Sequence, residues 1–252
     1  MLGKLLKYEI PALGRRLVPL YIGWIATAAL LGLMVGPLQK ESEFMIVISA
    51  LLYTAAATAV VVMAVVMIIQ RYNNSLLGDE AYFNQVLPVT ASQHIASKTI
   101  SAMLWVLLSM VAMAVTGIII AMFSGHFLDI FKVNWLEFLS KVDWLTVILV
   151  LLVTVFGITQ SVLQIYAAIT IGRQAKQHTT LAAIGAYIGL MIAETFVGRG
   201  VTEVMSFKFY DVFNSIAGFR MTMLIALVVT IAIGVIYFFI CNYLMEKKLN
   251  LN

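Results

Sequence analysis

Six stretches of the chain, residues 17–35, 44–69, 99–123, 144–171, 180–197 and 221–244, are almost continuously apolar. They contain no Lys, Arg or Asp and one Glu, Glu194 in the fifth. Each approaches or exceeds the roughly 20 helical residues that cross a ~30 Å hydrocarbon core. Barrel strands would alternate apolar and polar positions, and these runs do not, so the pattern predicts helices throughout. The expected fold class is all-α, a polytopic membrane protein with six transmembrane helices. Lys4, Lys7, Arg15 and Arg16 before the first run give the start of the chain the look of a secretory signal. The run is too long for a signal core and no cleavage site follows it, so it is read as the first span.

Between the spans, two segments carry one oily face at helical period. Leu2, Leu6, Ile10, Leu13 and Leu17 share a side opposite Lys4, Lys7 and Arg15, predicting a helix in the membrane interface, kinked at Pro11, before the chain turns into the bilayer. Phe127, Leu128, Phe131, Trp135, Phe138, Leu139 and Val142 form a similar stripe opposite Asp129, Lys132 and Ser140. With Trp135 and Trp144 suited to a headgroup belt, this second segment is expected to lie flat on the outer leaflet. Both helices also suit a plain anchoring role.

Composition removes other classes. Of 252 residues, 62% are hydrophobic and 11% charged, which leaves too little polar sequence for a separate water-soluble domain. Residues 1–252 are therefore read as a single transmembrane domain. The net charge of +4 sits on membrane flanks and forms no basic face, so no nucleic-acid partner is expected and membrane lipid is. Cys241 is the one cysteine, so no intrachain disulfide exists. Six spans place both termini on one side. That side carries ten of the 16 Lys and Arg, including Arg71, Lys98, Arg173, Lys176, Lys247 and Lys248, and is assigned to the cytoplasm.

The chain holds no G-x-x-x-x-G-K-[ST], G-x-S-x-G or H-E-x-x-H pattern, and His94, His126 and His178 fall in three different links. No catalytic constellation, metal site or cofactor of the chain's own is expected, so energy must come from a partner subunit or an ion gradient. Glu194, near Arg199, is read as a carboxylate paired at the outer interface, with a proton relay as the alternative. In the fourth span Thr154, Gln160 and Gln164, together with Ser161 and Tyr166, form a polar set. Gln160 and Gln164 are one turn apart, so the set either lines a substrate pathway or joins helices by hydrogen bonds. Gly32 with Gly36 and Gly185 with Gly189 are G-x-x-x-G pairs that permit close helix approach, within one chain or between two.

The link after the second span is the most informative. Gly78 breaks the chain, and Asp79 and Glu80 then complement the positive end of a short helix bearing Tyr82, Phe83 and Leu87, which Pro88 terminates. Thr90 with Gln93 forms a capping box, so the third helix is expected to start well before its apolar part. The link thus reads as an aromatic knob held between two projecting helices. Without a partner, the same sequence reads as a capped hairpin with its aromatics at the headgroups.

Lys7-Tyr8-Glu9, Arg71-Tyr72, Leu77-Gly78-Asp79-Glu80, Tyr82, Leu87-Pro88-Val89-Thr90 and Ser97-Lys98 resemble the permease subunits of bacterial ABC exporters of the ABC-2 class, especially short six-span permeases. Ala81 stands where a second glycine of that loop belongs. The resemblance implies that Gly78, Asp79, Glu80, Tyr82 and Phe83 belong to a coupling helix docking on a cytoplasmic ABC ATPase that binds ATP and Mg. It further implies an interfacial connecting helix at 2–15, an outer re-entrant hairpin at 198–220, and a second permease as homodimer or heterodimer partner. The implied activity is export of a hydrophobic or amphipathic substrate, such as a peptide toxin, antimicrobial peptide or drug, across the bacterial cell membrane. A gradient-driven carrier acting alone and a non-transporting scaffold or immunity protein are the competing classes.

Overall fold

The computed structural model describes residues 2–36, 43–77, 90–125, 137, 140, 142–175, 177–213 and 216–247. The described elements are helices: α1 (Leu2–Val35), α2 (Glu43–Tyr72) with a π-helical turn at Asn73–Leu77, α3 (Ala91–Phe123), α4 (Trp144–Gly172), α5 (Thr179–Phe213) and α6 (Ile216–Lys247). All six are long and apolar enough to cross a membrane, so the chain is a multi-pass membrane protein by length and composition. The flat segment expected around 127–142 and the link helix around 78–87 lie mostly or wholly outside the described residues.

Two helices run further than their apolar runs. Residues 2–16 are helical as their period predicts, but they continue without a break into the first span. α1 is thus one 34-residue helix with Pro11 and Pro19 inside it, and no turn separates an interfacial piece. α5 runs for 35 residues, about 52 Å at 1.5 Å per residue, well past residue 197 where its apolar run stops. Thr90, by contrast, caps α3 where expected. Its Oγ1 accepts the Gln93 backbone N–H at 3.4 Å, and the helix starts eight residues before Thr99.

Contacts group the chain into two packing units: Leu6–Ile68 with Leu104–Val142, and Ile69–Met103 with Asp143–Asn252 and the first five residues. In the first, α1, α2 and α3 bury Leu13, Leu17, Tyr21, Trp24, Val60, Ala64, Met67, Trp105 and Ala112 in one core. Glycines set its spacing. A Cβ on Gly14 would stand 2.6 Å from the Trp105 ring, whose Nε1 donates to the Ile10 carbonyl at 3.0 Å. A Cβ on Gly36 would stand 2.2 Å from the Phe123 carbonyl oxygen, and one on Gly32 2.8 Å from the Phe123 side chain. The Gly32/Gly36 pair therefore serves packing within the chain. Two hydroxyl pairs form inside this core, Tyr21 with Ser109 Oγ at 2.6 Å and Tyr53 with Thr116 Oγ1 at 3.1 Å, while Trp24 Nε1 is buried without a partner.

In the second unit α4 packs along both α5 and α6. The turn from α4 to α5 is tight, since a Cβ on Gly172 would meet Ala183 at 2.5 Å, and His178 takes the left-handed region with φ 57° just before Thr179. At the far end of α4, Arg220 in the first turns of α6 grips Asp143 Oδ2 through Nη2 at 2.7 Å and Nε at 2.9 Å. Thr146 donates its hydroxyl to the same oxygen. The pair holds the starts of α4 and α6 together, as an alternating six-span topology requires.

Candidate functional site

Two polar constellations lie in the second unit, one near the middle of its helices and one at their ends. The middle one centres on Glu194. Gln160 Nε2 on α4 donates to Glu194 Oε1 at 2.9 Å, and the Tyr237 hydroxyl on α6 donates to the same atom at 2.6 Å. Gln160 is sixteen residues after Trp144 and twelve before Gly172, about 24 and 18 Å along the axis. Glu194 is fifteen residues, about 22 Å, from the start of α5. The carboxylate therefore does not pair with Arg199 at an interface, as its place at the edge of the apolar run suggests. Because α5 extends to Phe213, Glu194 stands inside the helix, bonded to neutral groups of two other helices. Gly234 on α6 lies beside Gln160, where a Cβ would stand at the ordinary contact distance of 3.9 Å.

The other expected polar positions divide. Gln164, one turn from Gln160, is buried with its Nε2 unpartnered. Thr154 is half-buried, and its hydroxyl returns to its own helix at the Val150 carbonyl, 2.8 Å away. Gln160 thus joins helices, while Gln164 leaves an amide proton unused. A Cβ on Gly157, Gly185 or Gly189 would meet nothing within 4 Å, so the Gly185/Gly189 pair of α5 packs against no described neighbour.

The second constellation lies where the end of α2, the start of α3 and the ends of α4 and α6 meet. Tyr72 is fully buried and stacks on Tyr166, with ring centroids 3.9 Å apart. Thr170 gives its hydroxyl proton to the Tyr166 carbonyl at 2.7 Å, so Tyr72 is the donor in its 2.9 Å bond to Thr170 Oγ1. The Tyr72 hydroxyl also lies 3.8 Å from Met245 Sδ on α6, and the Tyr166 hydroxyl donates to the Lys98 carbonyl of α3 at 3.4 Å. On the following π-helical turn, Asn73 Oδ1 accepts Arg173 Nη2 at 2.9 Å and Nε at 3.2 Å. Ser97, Lys98 and Ser101 are each at most 3% exposed, so the first turns of α3 are buried although their sequence reads as a solvated flank.

Sequence reasoning noted Tyr72 and Tyr166 separately, one as a loop motif and one as a polar span residue. No local signal joins them, since Tyr72 stands in the polar stretch Gln70-Arg71-Tyr72-Asn73-Asn74 and Tyr166 follows Gln164; burial alone demands a partner for each hydroxyl. Gly78, Asp79, Glu80, Tyr82 and Phe83 lie outside the described residues, between the anchored ends of α2 and α3. Among the described residues no group of three or more His, Cys, Asp or Glu is placed to hold a metal ion. Comparison of the chain with protein-family models, curated proteins and solved structures finds no match.

Proposed function

We propose that this chain is the membrane-spanning permease subunit of an ATP-driven ABC exporter of the bacterial ABC-2 class. In this reading it sits in the bacterial cell membrane with both termini in the cytoplasm. It works beside a second permease, identical or homologous, and cytoplasmic ATPase subunits that hold ATP and Mg. Its cargo is hydrophobic or amphipathic: a peptide toxin, an antimicrobial peptide or a drug. Residues 2–15 act as the connecting helix, and 198–220, the end of α5 and the start of α6, as the outer re-entrant element.

The observation that carries this reading is the anchoring of the link that bears Gly78, Asp79, Glu80, Tyr82 and Phe83. Residues on both sides of it are fastened to α4 and α6, through Tyr72 and Asn73 before it and through Lys98 after it. A partner that moves the link therefore acts on buried contacts of the bundle, which is what coupling of a remote hydrolysis step to a membrane pathway requires. The purified chain alone should neither bind nor hydrolyse ATP, and co-expression with its cognate ATPase should yield a complex that survives detergent. Hydrolysis by this chain alone overturns the reading.

Glu194 favours a second reading, a carrier driven by an ion gradient, because a carboxylate within a span is a common element of such pathways. Vesicles separate the two. Export that proceeds under an imposed ion gradient without ATP supports the carrier, and export that needs ATP inside the donor compartment supports the exporter.

A further inference from the structure

Glu194 Oε1 accepts two bonds, both from uncharged donors on other helices. Neither partner is a Lys or Arg, so both contacts leave the Glu194 carboxyl without a cationic neighbour. A carboxyl group within a membrane span characteristically pairs with a cation or marks the path of one. The residues one or two turns away on the same side of α5, Tyr187, Met191 and Val197, are 38%, 49% and 47% exposed, so the carboxylate is flanked along the helix by uncovered apolar surface.

We propose that Glu194, positioned by Gln160 and Tyr237, is a binding site for the ammonium or guanidinium group of an amphipathic cation, whose apolar part lies along the α5 face formed by Tyr187, Met191 and Val197. A hard inorganic cation fits less well, because it needs six or more oxygen ligands and the described residues bring one carboxylate. A single carboxylate beside an apolar strip matches one cationic head on an apolar body. The inference rests on the export reading only in making this ion the cargo, and thereby narrows that cargo to amphipathic cations.

The test uses the full chain in phosphatidylcholine nanodiscs, which carry no net lipid charge, with empty discs subtracted. The probes are dansylcadaverine, a fluorescent primary amine, and its N-acetyl derivative, which keeps the apolar body and loses the charge. Wild-type protein should bind the amine about tenfold more tightly than the amide, and Glu194→Gln should bring the two within about twofold. Should that variant fail to reconstitute, Tyr237→Phe and Gln160→Leu each remove one positioning donor, and each should reduce the preference at least about threefold. No preference in the wild type, or a full preference in Glu194→Gln or in both positioning variants, overturns the site. Since no ATPase is present, the two readings fail separately. A chain that assembles with its ATPase but does not prefer the amine loses only this site, and one that prefers the amine but accepts no ATPase loses only the exporter reading.

Discussion

The rings of Tyr72 and Tyr166 lie face to face, 3.9 Å between centroids and 9° from parallel, with neither side chain more than 2% exposed. The first closes α2 and the second sits in the last turns of α4, so this stack ties the root of the 78–89 link to the bundle. Four helices share the contact, since Thr170 accepts the Tyr72 hydroxyl proton, Met245 Sδ lies 3.8 Å from the same hydroxyl, and the Lys98 carbonyl accepts that of Tyr166.

Tyr72→Ala should cost about 3 kcal/mol through the cavity it leaves. Tyr72→Phe keeps the stack and loses the hydroxyl bond, at about 1 kcal/mol. Thermal unfolding in detergent, followed by circular dichroism, should rank wild type, Phe and Ala in that order. Equal melting for Phe and Ala contradicts the stack as the main contribution.

Gly14→Val should force the Trp105 indole away from the Ile10 carbonyl, because the Cβ alone would stand 2.6 Å from the ring. Overpacking of this kind costs about 1 to 3 kcal/mol. The change is readable as a lower melting temperature with a shift in tryptophan emission. Gly157→Ala, where a Cβ meets nothing within 4 Å, should leave both unchanged.

The Thr146 hydroxyl, and after it the Arg220 guanidinium, hold the Asp143 carboxyl below the ordinary aspartate value. The unfolded chain therefore takes up this proton at higher pH than the folded one does. The stabilising contribution is complete above the unfolded value of about 4 and is lost as pH falls through the lower, folded value. Asp143→Asn should flatten the acid limb of a melting-temperature profile and leave its neutral region the lower of the two. An acid limb identical to that of the wild type removes the pair from the pH response.

Truncating Tyr82 and Phe83 together to Ala should weaken ATPase binding, since buried aromatic anchors at interface hot spots supply upwards of about 2 kcal/mol each. Reversing Asp79 and Glu80 to Lys should oppose the dipole of the short helix that the sequence predicts there, by about 0.3 to 1 kcal/mol apiece. Both double variants should insert normally, bind the ATPase more weakly and lose substrate-stimulated hydrolysis. Full transport with unaltered binding in the aromatic pair removes the coupling role from this link.

Single cysteines placed at Asn74 and Gln177 should react with an impermeant maleimide only in inverted vesicles, and those at Ser42, Asn134 and Ser206 in intact cells. The assignment rests on ten Lys and Arg on the terminal side against six opposite. Labelling of Asn74 in intact cells reverses the orientation and places the link out of reach of a cytoplasmic partner.

The existence and number of the six helices were legible because an apolar run of membrane length has few other solutions in lipid. Their ends were less so. Residues 2–16 and 198–213 are polar enough to read as separate segments, yet both continue the adjoining helix, because backbone hydrogen bonding carries a helix past its apolar stretch where nothing interrupts it. That extension is why Glu194 reads as an edge residue in sequence and stands inside α5 in the fold. Its bond to Gln160 spans 34 positions and depends on the α4–α5 register, which the close approach of Gly172 to Ala183 helps to set. The burial of Lys98 was not legible in the sequence. α3 begins at Ala91, as the Thr90 cap implies, so Lys98 falls two turns inside the helix, where packing against the bundle leaves only 3% of it exposed. The Thr90 cap and the Gly32/Gly36 contact were legible because the chemistry of each is local or needs only small size.

The π-helical turn at Asn73–Leu77 sets the compass bearing of Leu77 around the α2 axis. An α-helix advances about 100° per residue around its axis, and a π turn holds one residue more than an α turn without a matching gain in length. Leu77 is therefore rotated relative to Tyr72 by about a quarter of a circle compared with an uninterrupted helix. Removing a single residue from this turn would leave the Tyr72 anchor in place and shift the bearing of the residues that follow Asn73 in the turn.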